Sequence, residues 1–515
     1  MDGSEELLLI RRTETGETDG TIVRFRWRVY GLAIITLLNA MNFTQQYLII
    51  VTIFGMANEM KFGETECRVI NETAARDYIG DLNVTGEKLC AEAGRCSENS
   101  TMFLPDVCGI QYTGQGTLYD VLAGPIYLII QGVAAVPLVG LIQSFSLRPP
   151  FAIGIITVLW TLCTLITGFV KDYWAVALLR FLYGIFSGPF LPLALGYLTH
   201  IFQTEVHTLA FGIGQYGNIA GYGISYLFIL VSDSIGWRWC YISCGSAGLI
   251  LAVASCFMVN PTGPHHQDKK NTLMPSWKEH RASLRQIIWS LMLCIVLAQT
   301  ARIAGMYVVS FNLTVYLAEY FPEFNVIVIG LVTIVIGFPG CIFGGWVCDR
   351  LRKVSGIHGR LSLALLLMVL ALVFGVLVFQ SSLTSLVVLY GLMLFVSDWV
   401  YVIILSVISD LTPLECKIVV FAINYFFNHS VAGAINLLVT PLASATSFRS
   451  AITLLTGTLF GACFILLLLS FGCMYIKKIK SGQEANQNIG KGGGADVTEK
   501  TPLKYSYNGE DKATL

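Results

Sequence analysis

The chain has 515 residues, of which 55% are hydrophobic and 13% are charged, and its mean hydropathy is +0.66. A soluble globular protein carries roughly 25% charged residues, and the apolar runs of this chain are too long for two or three soluble domains. Lys+Arg and Asp+Glu balance at 33 each. The chain thus has no excess of positive charge that would indicate a nucleic-acid or an acidic partner.

The N-terminal tail, 1–28, contains an acidic dileucine pattern, in which Glu5 is followed by Leu9 and Ile10. Clathrin adaptors bind this pattern and sort membrane proteins to endosomes and lysosomes. The pattern lies in a charged segment shortly before the first apolar run, where an adaptor can reach it. The sequence therefore predicts a lysosomal or endosomal protein with a clathrin adaptor as partner, and the plasma membrane is the alternative.

Twelve continuous apolar runs follow this tail. A run of about 20 apolar residues crosses hydrocarbon as a helix, because a helix satisfies its backbone hydrogen bonds internally. The runs lack the ten-residue alternation of β-barrel strands, so the sequence predicts an all-α membrane protein with 12 transmembrane helices. The predicted spans are 29–57, 117–144, 151–169, 173–200, 206–232, 238–258, 286–318, 325–349, 360–380, 384–409, 416–443 and 449–476.

Basic residues predict how these spans are oriented. Lys and Arg cluster before the first span, between spans six and seven, between spans eight and nine, and after the twelfth span. The alternate short loops hold few basic residues. By the positive-inside rule both termini lie in the cytoplasm, and the long loop after the first span lies on the opposite side.

That loop, 58–116, has ten Asp/Glu against five Lys/Arg, three Asn-x-Thr triplets and four of the fourteen cysteines. An oxidising compartment favours two disulfides among four cysteines, and three pairings remain open. The other ten cysteines are predicted to be packing residues, and none has the spacing of metal ligands. The predicted glycosylation sites are Asn71, Asn83 and Asn99, and the disulfide candidates are Cys67, Cys90, Cys96 and Cys108.

A polar stretch of 27 residues, 259–285, divides the spans into six and six. We predict an N-terminal six-helix half at 29–258 and a C-terminal six-helix half at 286–476. The stretch contains two adjacent histidines, for which a solvated cytoplasmic loop is a better explanation than a metal site. The C-terminal tail, 477–515, is poor in apolar residues and is predicted to be a disordered cytoplasmic segment.

The loop between spans eight and nine carries a Gly-x-x-x-Asp-Arg-x-basic pattern that starts at Gly345 and includes Asp349 and Arg350. The glycine allows two helices to approach, and the charged residues can hold a gate at the cytoplasmic helix ends. The corresponding loop of the N-terminal half, 140–148, has no carboxylate. Span four carries an Arg-x-x-x-Gly pattern that starts at Arg180.

With these motifs and its six-plus-six spans, the chain resembles the major facilitator superfamily over about residues 25–480. In that class two repeat-built halves rock around a site near the membrane midplane. The resemblance implies a transporter that works by alternating access, with no catalytic residues and no cofactor. A membrane enzyme is disfavoured, because no nucleophile–base pair, metal cluster or nucleotide motif is evident.

The second half resembles the spinster group of lysosomal and lipid transporters, most clearly at Ser397-Asp398-Trp399 on span ten. Span four and the long glycosylated loop also resemble the sialin-type organic-anion carriers. Two departures from spinsters stand out. Their first span has an Asp-Arg pair where this chain has amides at 42–46, and their fourth span has a Glu at the position of Ser187.

Polar residues at membrane depth are the candidate site residues, because burying them in hydrocarbon costs roughly 2.5–3.5 kcal/mol on insertion scales and they normally face the bundle interior. We predict that arginines bind an anionic group of the substrate, that amides of span one line the cavity opposite Arg302, and that Asp398 and His429 carry protons. The substrate candidates are Arg302, Arg180, Gln45, Gln46 and Asn42.

Structural roles are the alternative for each candidate. Arg180 can hold helix ends together, Asp398 can form a closed-state pair with Arg302 or His429, and His429 can be a satisfied buried histidine. Aromatic residues such as Tyr183, Tyr222 and Phe311 are predicted to pack rather than to contact substrate.

The sequence thus predicts a secondary active transporter of a small organic anion or an amphipathic, lipid-like solute, with protons as the coupled ion. Its partners would be that solute, protons, membrane lipid and the adaptor, without nucleic acid. One alternative is a facilitative uniporter of a neutral or amino-acid-like solute. A receptor-like superfamily member that does not transport is the other.

Overall fold

The structure is a computed structural model that describes residues 25–63, 65–69, 108–112, 118, 121–122, 124–145, 147–259, 289–413 and 416–491. Several predicted features lie outside these residues. They are the sorting motif of Glu5, Leu9 and Ile10, the glycosylation candidates Asn71, Asn83 and Asn99, and the disulfide candidates Cys90 and Cys96.

In the part of the N-terminal half that the structure describes, six long helices form the bundle. Proline at position 189 interrupts the fourth helix between Tyr173–Ser187 and Phe190–Ile201, because proline has no backbone N–H to donate. Gly236, with φ +96°, allows the immediate reversal between the fifth and sixth helices. The helices are α1 Phe25–Met60, α2 Pro125–Ser144, α3 Pro149–Thr167, α4 Tyr173–Ile201, α5 His207–Ile235 and α6 Trp237–Ser255.

Five helical segments form the C-terminal half, and they cover all six of its predicted spans. Helix α8 has 52 residues and contains predicted spans eight and nine, joined through Gly356, whose φ of 57° and ψ of −137° are not helical. The helices are α7 Trp289–Tyr320, α8 Ile327–Val378, α9 Leu383–Leu411, α10 Lys417–Ala445 and α11 Phe448–Lys491.

Each of the twelve predicted spans therefore overlaps a helix along most of its described residues. In the described part of the chain ten helices are long and apolar enough to cross a membrane. Helix α8 counts once among the ten although it holds two predicted spans, and α6, which contains Arg238, is not among them.

The loop after α1 contains a feature that the all-α prediction does not include. Strands β1 (Thr65–Val69) and β2 (Cys108–Tyr112) form an antiparallel pair in which Val69 lies opposite Cys108. Cys67 and Cys108 are both disulfide-bonded. The pairing among the four candidate cysteines stays a prediction, since the other two lie outside the described residues.

The C-terminal helix differs from its prediction. Helix α11 continues to Lys491, so 477–491 is helical where the sequence predicts disorder. The stretch contains Lys, Gln, Glu and Ala, which favour helix, together with two Gly and two Asn, which do not. It continues a helix that is already formed, so no nucleation cost opposes it.

The two halves meet chiefly along α5 and α8, and also along α2 and α10. These contacts depend on glycine. A Cβ atom on Gly212 would lie 2.5 Å from the carbonyl oxygen of Cys341, and one on Gly132 would clash with Ser430 on α10. Small residues allow helix backbones to approach this closely in membranes, and the functional site lies between the two halves.

Candidate functional site

A central cavity lies between the halves. Its volume, taken as the space open to the centre of a water molecule, is about 110 Å³. Helices α1 and α5 line it on one side, and α7, α8, α9 and α10 line it on the other. Its polar side chains include Gln215, Asn218, Arg302, Thr333, Asp398 and His429. Residues of both halves therefore surround one space near the middle of the helices.

Arg302 lies on α7 and is 4% exposed. Its Nη1 donates to the Ser397 hydroxyl at 2.8 Å and to the Ser397 carbonyl at 3.2 Å. The guanidinium also lies over the Tyr401 ring, 4.9 Å from its centroid. Its Nε is buried without a hydrogen-bond partner, so part of the donor set of this always-charged group remains available.

Asp398 follows Ser397 on α9 and lines the same cavity. Its Oδ2 is buried without a hydrogen-bond partner. Among the ion pairs of described residues within 4 Å, none joins Asp398 to Arg302. Arg302 and Asp398 therefore line one cavity without an ion pair within 4 Å, so the closed-state pair between them, which was one of the alternatives, is not formed in this conformation.

His429 lies in a π-helical turn of α10, Phe427–Val431. Such turns insert one residue into an α-helix and often occur at functional sites. The imidazole stacks on Tyr425 with ring centroids 3.7 Å apart, and its Nδ1 lies 3.3 Å from the Tyr425 carbonyl oxygen. Its Nε2 is buried without a partner, so only one ring nitrogen is satisfied.

Helix α5 contributes a pair of amides that the sequence analysis missed. Asn218 donates from Nδ2 to Gln215 Oε1 at 2.5 Å, which leaves Gln215 Nε2 and Asn218 Oδ1 buried without partners. The sequence did contain a signal for this pair, because two amides three residues apart lie on one face of a helix that is rich in glycine.

Aromatic rings form part of the cavity wall. Tyr47 stacks on Phe311 at 5.2 Å between centroids and meets Tyr222 edge-on at 4.7 Å. The Tyr222 hydroxyl donates to the Ser310 carbonyl at 3.1 Å. Tyr222 and Phe311 thus pack against other rings, as predicted, and Tyr222 also lines the cavity.

Arg180 lies away from the central cavity, inside the N-terminal half. Its Nη1 donates to the Gln46 carbonyl at 2.9 Å and its Nη2 to the Tyr241 hydroxyl at 3.3 Å. Tyr183 donates to both the backbone carbonyl and the side-chain oxygen of Asn42. These bonds join α1, α4 and α6.

The span-one amides also face the interior of that half. Gln45 donates to the Cys244 carbonyl at 3.0 Å and accepts from Thr164 at 3.1 Å. Gln46 is fully buried, and neither atom of its amide has a partner. None of Asn42, Gln45, Gln46 and Arg180 lines the central cavity, so this conformation brings Arg302, Asp398 and His429 together without them.

The loop motif of the C-terminal half connects the two halves. Asp349 accepts from the backbone N–H groups of Thr208 at 3.2 Å and Leu209 at 2.9 Å. These donors belong to the first turn of α5, whose N–H groups lack partners within the helix. Gly345 makes the approach possible, since a Cβ atom there would lie 2.9 Å from Leu209 Cα.

The basic residues of the motif act differently from one another. Arg350 lies over the Trp346 ring, 5.0 Å from its centroid. Asp410 on α9 accepts from Arg352 at 3.0 Å and from Arg360 at 2.6 Å. Asp349 and Lys353 thus bond to residues of the N-terminal half, Lys353 through an exposed ion pair with Glu205. Arg350, Arg352 and Arg360 contact only residues of the C-terminal half in these interactions.

The halves contact each other on both sides of the cavity. At the predicted cytoplasmic end Asp349 on α8 accepts hydrogen bonds from the first turn of α5. At the opposite end the Tyr226 hydroxyl lies 3.1 Å from the Thr314 hydroxyl, and Gly223 and Gly330 meet backbone to backbone. Contacts at both ends therefore hold the two halves together in this conformation.

Two curated proteins are similar to this chain in sequence. A "Probable sphingolipid transporter spinster homolog 1" of Arabidopsis thaliana is 26% identical over 190 residues, which is 36% of either chain. An uncharacterised transporter of Schizosaccharomyces pombe is 27% identical over 137 residues, 24% of this chain and 27% of its own. The aligned parts thus span about a third of these relatives or less.

Two solved structures share the fold. The human organic anion transporter MFSD10 (TETRAN) superposes with a TM-score of 0.60 at 12% identity, covering 85% of this chain and 99% of its own. A bacterial homologue of the human lysosomal transporter Spinster, inward-facing and unoccupied, has a TM-score of 0.53 at 13% identity, with 87% and 96% covered.

The family model of the Major Facilitator Superfamily matches residues 32–435, and the two-half arrangement of the helices agrees with it. The predicted fold and the resemblance to spinsters are confirmed. The chain is a multi-pass membrane protein that belongs to the Major Facilitator Superfamily of transporters.

Proposed function

We propose that the protein is a secondary active transporter that moves a small organic anion or an anionic amphipath by alternating access, coupled to protons. The observation that carries this proposal is the cavity between the halves, in which Arg302 Nε and Asp398 Oδ2 are both buried without partners. A buried guanidinium with a free donor favours a carboxylate or phosphate ligand. Asp398, which lines the same cavity, is the group proposed to exchange a proton.

In this proposal Arg302 binds the anionic group, and Ser397 and Tyr401 hold the guanidinium in place. Asp398 and His429 carry the protons, because each has a buried polar atom without a partner and both line the same cavity. The similar proteins support the two kinds of cargo, since one relative is described as a sphingolipid transporter and one similar structure as an organic anion transporter.

The test is uptake into proteoliposomes that contain the purified full-length chain. A panel of monocarboxylates, lysophospholipids and zwitterionic amino acids identifies a substrate. An inward proton gradient should raise uptake of that substrate several-fold. Asp398→Asn should abolish the effect of the gradient and retain substrate counterflow, whereas Arg302→Gln should abolish both. Uptake by Arg302→Gln at the wild-type rate would remove the proposed substrate site.

A second candidate is a facilitative carrier of an amino-acid-like zwitterion. It is favoured by the cation and the carboxylate that face the same cavity without forming an ion pair. In that case Arg302 binds the carboxylate and Asp398 the ammonium group. Asp398→Asn would then abolish counterflow as well, and a proton gradient would leave uptake unchanged, which separates the two candidates.

We further propose a lysosomal or endosomal location. The spinster relatives and the N-terminal dileucine pattern support it, and Asn71, Asn83 and Asn99 would carry glycans on the luminal side. Alanine at Leu9 and Ile10 should shift the protein to the cell surface, as scored by surface biotinylation. Unchanged lysosomal staining of that variant would remove the clathrin-adaptor step.

A further inference from the structure

We propose that the N-terminal half holds a second site, separate from the central cavity, that binds one small monovalent anion of the chloride type at Arg180. The site lies among α1, α3, α4 and α6. It accounts for a buried guanidinium that the proposed transport cycle does not use.

A small cavity lies beside this guanidinium. Its volume, taken in the same way, is about 10 Å³. This is the room needed by roughly one water molecule or one monoatomic ion. Its lining shares no residue with the central cavity. An organic carboxylate does not fit such a space. The polar lining residues are Gln45, Thr164, Thr167, Arg180, Tyr183 and Tyr241.

The charge of Arg180 is not neutralised. The side chain is 5% exposed, and in the described part of the chain no acidic residue lines the small cavity or pairs with Arg180 within 4 Å. Its two hydrogen-bond acceptors, the Gln46 carbonyl and the Tyr241 hydroxyl, are neutral. A buried charge normally has a partner of opposite sign, so the structure favours a counter-ion from solution.

The donors available in the cavity favour a spherical anion. Arg180 has five N–H groups, and its bonds to the Gln46 carbonyl and the Tyr241 hydroxyl use two of them. The neighbouring hydroxyls of Thr164, Thr167 and Tyr183 donate to protein acceptors. The guanidinium therefore supplies the charged donors, and a halide can accept from it without directional requirements.

The position of the cavity indicates the side from which the ion binds. Thr164 and Thr167 lie in the last turn of α3, and Tyr241 lies in the second turn of α6. These turns are at the predicted luminal end of the bundle. The anion is therefore expected to come from the lumen, independently of the cytoplasmic gate at Asp349.

Thermal unfolding of the purified full-length protein tests the proposal. Sodium chloride is compared with sodium gluconate at constant ionic strength. Chloride should raise the unfolding temperature in a saturable manner, because a ligand that binds only the folded state stabilises it. Bromide should act like chloride, and sulfate should not. Arg180→Gln should weaken the apparent chloride affinity at least tenfold, whereas Arg302→Gln should leave it unchanged.

Two further variants protect the test against a folding defect. Leu179→Phe keeps the guanidinium but fills the small cavity, so it should abolish the chloride effect in a folded protein. Arg180→Lys keeps the charge without the planar fork and should retain a weaker effect. Equal unfolding temperatures of the wild type in chloride and gluconate would show that water alone occupies the cavity and would overturn the proposal. A chloride effect that persists in Leu179→Phe would overturn it as well. Neither result depends on finding the transported substrate.

Discussion

The carboxylate of Asp349 accepts a hydrogen bond from the backbone N–H of Leu209 at 2.9 Å. The two residues belong to different halves of the protein and are 140 positions apart in the sequence. The bond satisfies a donor in the first turn of α5, and a carboxylate there also interacts favourably with the helix dipole. Opening of the cytoplasmic end must break this contact.

Asp349→Ala should therefore favour the open cytoplasmic end. Loss of a carboxylate cap costs about 1 kcal/mol, which corresponds to roughly a fivefold change in the ratio of open to closed protein. Native Cys341 reports the change, because it is 1% exposed and lines the central cavity. Its labelling by a water-soluble maleimide in inside-out vesicles should accelerate by about that factor. Lys353→Ala removes only an exposed ion pair with Glu205 and should label at the wild-type rate.

Gly345→Ala should disturb the same interface by size. The added methyl group would lie 2.9 Å from both Leu209 Cα and the Thr208 carbonyl oxygen, so α5 and α8 must separate. We expect faster labelling of Cys341 and a lower transport rate. Gly461→Ala on α11 is the matched control, because a Cβ atom there has nothing within 4 Å. Equal labelling of both variants would contradict the close approach at Gly345.

Ser397→Ala should weaken substrate binding without stopping transport. The hydroxyl accepts from Arg302 at 2.8 Å, and the backbone carbonyl at 3.2 Å remains in the variant. A hydrogen bond from a charged donor contributes about 1.5–3 kcal/mol, which predicts a KM that is roughly tenfold higher or more. Concentration-dependent uptake measures this value, and kcat should stay near that of the wild type. Ser362→Ala, at an exposed position of α8, should change neither parameter.

Asp410→Asn should destabilise the C-terminal half. Arg360 is 1% exposed and donates to Asp410 at 2.6 Å and to Ser406 at 2.7 Å. Removal of one partner of a buried pair costs about 3–5 kcal/mol, because the remaining charge loses its counter-charge. Thermal unfolding in detergent should show a clear loss. Glu205→Gln breaks a pair whose side chains are 60% and 71% exposed, and it should unfold like the wild type.

Membrane depth explains why part of the site was predictable. A charge inside an apolar run must face the bundle interior, so Arg302, Asp398 and His429 could be selected from their positions in the runs alone. The structure brings all three to one cavity. Asp349 was predictable for another reason, because the gate motif is local and its residues are consecutive.

Whether a buried polar residue faces the central cavity or the interior of its own half was not predictable. The rotation of α1 about its own axis depends on its contact with α5, where the backbone of Ala40 lies against Gly221. That contact turns Gln45 toward α3 and α6. The ion pair of Arg360 with Asp410 was missed for a similar reason, since its partners are 50 positions apart on different helices and no local pattern connects them.

The interface of α5 with α8 has a consequence for the movement itself. Gly212 faces the Cys341 carbonyl, Gly223 and Gly330 face each other, and Gly345 faces Leu209. These four glycines bring the two backbones close together. Glycines of the same interface also form the hollows into which branched side chains fit, since Ile334 packs on Gly223 and Ile219 on Gly337. We expect a change in the relative tilt of the halves to slide these side chains out of the hollows, so the rate of the conformational change depends on this packing as well as on the polar contacts at the two ends.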